Sequence, residues 1–257
     1  MKSKTLRLIS IMMVGWNTFP TFAQNFSSSS NLEPQPAADR VVPFKLSEKG
    51  IVREVEWGGD MAWMHEYNLR RCVAFMGKDN VSIVRASFQP DLAVVNGELQ
   101  QGTIDTLQMR VDLLKWVKPD VKLMINCDAP YMGSYYLDEN GANAAHWAEI
   151  IDLSTKYYQD AGYEVVSVAP FNEPDYLYNN QGSPDETKRK AEFAEILAEL
   201  KQKERFKDIR MSGGNTLNTD QALPWYNYLK SQLDEGNTHQ LAGSFDNFAQ
   251  FFTLSLI

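Results

Sequence analysis

The sequence predicts an α/β fold of the (β/α)8 TIM-barrel type, incomplete, with about six of eight βα units. Three observations lead there. Short apolar runs alternate with helix-like segments along residues 41–257. Polar side chains gather where each apolar run ends. No glycine-rich phosphate loop follows the first run, because Gly58-Gly59 lacks the nucleotide-binding spacing. An open doubly wound sheet would focus function at one switch point, whereas polar groups at every strand end converge in a barrel.

Taken in order, the first residues read as an address. Lys2, Lys4 and Arg7 precede a short apolar run, Leu8 to Trp16, and Thr21-Phe22-Ala23 offers small residues for cleavage before Gln24. Residues 1–23 thus read as a secretory signal peptide, so the mature chain is expected to be periplasmic or secreted. No apolar run is long enough to span a bilayer. Residues 24–40 are rich in Ser, Pro and Ala and read as a flexible leader. The partial barrel is expected over 41–257.

Six strands are expected, over 51–57, 81–88, 121–127, 164–169, 209–213 and 241–248. The helices between them carry their own signals. Residues 65–76 stop at Gly77, 104–117 follow Thr103 and stop before Pro119, and 144–161 close at Gly162. Ser183, Pro184 and Glu186 form a capping box for 186–203, and 222–235 end at Gly236.

The strand ends supply the candidate site. Strand one runs into Trp57 and Asp60, strand two into Arg85 and Asp91, and strand three into Asn126 and Asp128. Strand four delivers Asn172 and Glu173, strand five Asn215, and strand six Asp246 and Asn247. A Glu just past a buried strand is partly desolvated, which favours the protonated form that a general acid needs. The bland reading is a solvated acid in a turn before Pro174. Asp60, Asp91 and Asp128 can bond sugar hydroxyls or simply cap turns.

The chain has 257 residues, 44% of them hydrophobic, and a net charge of −8. That charge argues against nucleic-acid or anionic-membrane partners. Cys72 and Cys127 can pair in an oxidising compartment or remain buried thiols. His65, His146 and His239 lack metal-ligand spacing and read as surface or helix-end residues, so neither metal nor cofactor is expected. There is no serine nucleophile elbow.

The run Ser167 to Asp175, SVAPFNEPD, with Arg85 closing strand two, resembles the retaining glycoside hydrolases of clan A, most closely those of the family 30 type. The resemblance extends over about residues 41–250, and its specific part is Asn172-Glu173-Pro174. It implies a carbohydrate substrate, Glu173 as acid/base, Asn172 on the sugar 2-hydroxyl, and Arg85 bracing the nucleophile. It also implies Trp57, Tyr131, Tyr135, Tyr136 and Tyr176 as sugar platforms, although packing explains each aromatic equally well.

Such enzymes need a second carboxylate about 5–5.5 Å from the acid/base, and the family carries it on strand seven. At roughly 38 residues per unit, that strand would start near residue 279, past residue 257. Glu235 reads as a helix end and Asp246 as one strand too early. The expectation is therefore a secreted glycosidase catalytic domain lacking its nucleophile, poorly soluble and with open edges on strands one and six. The alternative is a non-catalytic carbohydrate-binding or structural remnant.

Overall fold

The computed structural model describes residues 8–11, 55–61, 66–88, 94–127, 137–138, 141–175 and 186–254. Seven strands form one sheet in the order in which they occur in the chain: β1 (Leu8–Ile11), β2 (Val55–Asp60), β3 (Val81–Phe88), β6 (Lys122–Cys127), β9 (Val165–Ala169), β10 (Arg210–Asn218) and β11 (Glu235–Ala242). Every neighbouring pair is parallel. Spatial order that never doubles back distinguishes a barrel wall from a doubly wound sheet. The sheet is a curled half-barrel, matching the incomplete (β/α)8 class read from the sequence. Two small hairpins, β4–β5 (Val94–Val95, Glu98–Leu99) and β7–β8 (Leu137–Asp138, Gly141–Ala142), sit on connections above it.

Helices cover the outer face: α1 (Glu66–Met76), α2 (Gln101–Val117), α3 (Ala144–Asp160), α4 (Glu186–Lys201), α5 (Thr219–Leu229) and α6 (Phe245–Leu254). Their buried residues recur at helical spacing, as with Leu107, Val111 and Leu114 on α2 or Phe193, Ile196, Leu197 and Leu200 on α4. These meet Val84, Leu123, Ile125, Val165, Val168 and Met211 of the strands in one continuous core. A much smaller apolar group, Ile83, Met124, Val166 and Ala169, forms a separate cluster.

The helix ends follow local chemistry. Asn143 caps α3 by accepting from the His146 N–H, and Asn218 caps α5 by accepting from Asp220. Gly58 is required by the sheet. A Cβ there would lie 2.4 Å from the Ile83 carbonyl oxygen, so only glycine allows β2 and β3 to approach.

Several expected boundaries are corrected. The last strand is Glu235–Ala242, so Glu235 opens a strand and does not end a helix. Asp246 and Asn247 lie exposed in the first turn of α6 rather than on a strand. Their aromatic neighbours pack at helical spacing, Phe245 on Phe248 and Phe248 on Phe252, a row that an alternating strand would split between two faces. The helix placed after Thr103 begins at Gln101, and Thr103 is buried in its first turn. The helix placed at residue 222 starts at Thr219. The edge of the first barrel strand is also not bare, because Leu8–Ile11 pairs with Val55–Gly58 in parallel register.

Candidate active site

The site is built where β9 runs out. Five consecutive buried residues, Val165–Ala169, carry the chain into Pro170-Phe171-Asn172-Glu173. Phe171 anchors this turn from behind. Its ring packs against Trp147 at 5.2 Å and Phe193 at 5.3 Å, within a row of rings running from Phe88 to Trp225. The backbone is held as well. Trp147 Nε1 donates to the Pro170 carbonyl at 3.0 Å. Asn126 Nδ2, at the end of β6, donates to the carbonyls of Ala169 and Phe171 at 3.0 and 3.2 Å. Asn215, on β10, donates through Nδ2 to the Phe171 carbonyl at 2.6 Å and accepts from the Glu173 N–H at 2.9 Å. These bonds keep Glu173 in the left-handed region, at φ 50°, which few non-glycine residues occupy.

Beneath the turn lies a buried ionic knot. Arg85 is 1% exposed and donates Nη1 to Asp60 Oδ2 at 3.0 Å. Its Nε and Nη2 both donate to Asn126 Oδ1, at 3.1 and 2.6 Å, and Nη2 also reaches Asn172 Oδ1 at 2.6 Å. A guanidinium with its fork filled by one carboxylate and two amides is fixed in position. Asn172 is thereby oriented through its oxygen.

Glu173 itself faces β11. His239 Nδ1 lies 2.6 Å from Glu173 Oε1, with both side chains largely buried. With the imidazole neutral and Glu173 ionised, the bond places the proton on Nδ1, and Glu173 Oε2 takes no part in it. Asp175 sits two residues on. It accepts from the N–H groups of Leu217 and Asn218 at 2.8 and 3.0 Å, tying the turn after β9 to the end of β10. Burial holds the Asp175 carboxyl above its ordinary range, the two backbone donors pull it back, and the Glu173 charge adds to the rise.

The structure therefore brings Glu173, Asn172, Arg85, Asp60 and Asn215 together at one mouth. It leaves Trp57 out. That residue pairs with Val81, the first residue of β3, three residues before Asp60 on β2, and is half exposed. Asp91, Asp128, Tyr131, Tyr135, Tyr136 and Tyr176 lie outside the described residues. Cys72 is a free, half-buried thiol on α1.

Two participants escaped the sequence reading. His239, which reads as a surface or helix-end residue, lies inside β11, a strand that begins six residues before the one expected from the sequence. The alternation of Glu235, Asn237 and His239 on one face of a strand was the available signal. Asp175 carried no signal beyond its closeness to Glu173. Of the other carboxylates at the mouth, Asp60 is tied to Arg85 and Asp175 to two backbone N–H groups, so neither is available as an attacking group. Among the described residues, no group of three or more His, Cys, Asp and Glu side chains is placed to hold a metal ion. No described helix is long and apolar enough to cross a membrane.

Neither a protein-family model nor a curated protein sequence matches the chain. Solved structures do. A glycoside hydrolase family 30 subfamily 8 xylanase from Clostridium acetobutylicum superposes with a TM-score of 0.51 at 14% identity, over 76% of this chain and 52% of that one. An endo-β-1,6-glucanase superposes with a TM-score of 0.52 at 10% identity, over 74% of this chain and 51% of that one. The chain spans about half the length of each structure. Its strands and helices form part of the (β/α)8 barrel found in these two glycoside hydrolases.

Proposed function

We propose that this chain is the acid/base half of a secreted, retaining glycoside hydrolase acting on β-linked polysaccharides or oligosaccharides. The observation that carries the reading is Glu173. Its carboxyl is presented at the carboxyl end of a buried barrel strand, against His239, and next to an Asn172 that Arg85 holds in place. In this role Glu173 donates its proton to the glycosidic oxygen as that bond breaks. It then takes a proton from the water that releases the sugar from the nucleophile. His239 orients the carboxyl and stabilises its charged state between the two steps. Among the described residues, the other two carboxylates at the mouth, Asp60 and Asp175, are already engaged, so the nucleophile is assigned to neither.

That same engagement favours a second reading, a carbohydrate-binding remnant without catalysis. Leaving-group dependence separates the two. In a catalytic domain that includes the next barrel units, Glu173→Ala slows poor leaving groups by about 10²–10⁴-fold. It slows activated aryl β-glycosides much less, and azide restores their turnover. Equal loss on both substrate kinds without azide rescue rules out Glu173 as the acid. Binding of xylan or β-glucan oligosaccharides with no turnover by the wild-type domain supports the remnant. The charge run and apolar run before Gln24 support export, which N-terminal sequencing of an extracytoplasmic fraction tests.

A further inference from the structure

Asn215 is buried, and its polar groups point at the neighbouring strand end. Its amide donates to the Phe171 carbonyl, and its own carbonyl accepts from the Glu173 N–H, so one residue of β10 grips the β9 turn on both sides of Asn172. Asn215 and Glu173 both occupy the left-handed region, at φ 52° and 50°, and are bonded to each other across two strands. Asparagine enters that region more readily than most side chains, whereas glutamate does not. The conformation of Glu173 therefore depends on neighbours that hold it. Asn126 also reaches the Phe171 carbonyl, at 3.2 Å against 2.6 Å for Asn215, but it makes no bond to the Glu173 backbone.

We propose that Asn215 is the positioning residue for Glu173. It fixes the left-handed turn that delivers the carboxyl to His239, and it is not a ligand of the sugar. This rests on the reading of Glu173 as the proton carrier, but it can fail or succeed separately. The bond that Asn215 secures, Glu173 Oε1 to His239 Nδ1, exists whether or not a sugar is cleaved.

The test reads that bond directly in the whole chain labelled with ¹⁵N-histidine. Long-range ¹H–¹⁵N spectra above the imidazole titration show which ring nitrogen carries the proton. His239→Gln assigns its signal among the three histidines. In the wild type, His239 carries its proton on Nδ1. In Glu173→Ala that preference is lost, which defines the end point. Asn215→Gly keeps the left-handed backbone and the carbonyl that binds Glu173 N–H, yet lacks the amide; Asn215→Asp keeps the shape without the donor. Both shift His239 to the tautomer population of Glu173→Ala while far-UV circular dichroism stays unchanged, and either variant suffices should the other fail to fold. Wild-type tautomer populations in the folded variants overturn the proposal, as does a wild type with its proton on Nε2. Absent glycosidase turnover in the larger domain would instead strike only the function proposed above.

Discussion

Replacing Arg85 tests whether the knot under the mouth is a structural keystone. In Arg85→Met the Asp60 carboxylate loses its cationic partner at 3.0 Å, in a pair whose side chains are 0% and 4% exposed. Breaking such a pair from one side costs about 3–5 kcal/mol, because a buried charge loses its counter-ion. Asn126 Oδ1 and Asn172 Oδ1 lose donors at 2.6 Å as well. Each unsatisfied amide would add about 1–3 kcal/mol if nothing relaxed. The full sum would rival the roughly 5–15 kcal/mol stability of a whole domain, so local rearrangement must absorb part of it. The expected loss is therefore about 3–5 kcal/mol, a drop of roughly 1–3 M in the urea midpoint followed by circular dichroism. A double-mutant cycle with Asp60→Asn isolates the pair. The double variant should be more stable than additivity predicts by about 1–3 kcal/mol. Additivity within roughly 0.5 kcal/mol would refute the claim that Asp60 and Arg85 depend on one another.

Two further outcomes follow from the same geometry. Asp175 has its folded-state pKa raised, chiefly by burial, above the ordinary 3.8. Its contribution to stability is complete below that value and is lost as pH rises through the raised pKa, so Asp175→Asn flattens the decline in this window; urea titrations across acidic to neutral pH measure the slope. Gly58→Ala drives a Cβ into a backbone oxygen that cannot swing away, and the expected destabilisation is about 1–3 kcal/mol in thermal or urea unfolding.

The strands easiest to read in the sequence were those buried on both faces. Val165–Ala169 is apolar apart from Ser167, and the polar residues that stop it, Asn172 and Glu173, are the ones at the mouth. Val81–Phe88 was equally plain, and its one charged residue, Arg85, sits in the knot. β11 was harder. Glu-Gly-Asn-Thr-His-Gln-Leu-Ala has almost no apolar periodicity, since it lines the polar interior and its other face is partly open. The richer apolar run just after it imitates a strand yet forms α6, so the local pattern points away from the strand that carries His239. The grip of Asn215 on the β9 turn could not be read at all, because it depends on backbone angles at two positions 42 residues apart, contacts that no local pattern encodes.

Leu8–Ile11 pairs with β2 along residues that the sequence also reads as an export signal. While attached, those residues pair with the edge of β2 that faces away from β3. An export machinery would engage the same residues, and a peptidase cutting before Gln24 would discard them. On a cleaved chain, the outward row of β2 donors and acceptors faces water or the next strand that arrives. Were those residues an export signal, export and wall assembly would compete for one short stretch, and their order would decide what lies against β2.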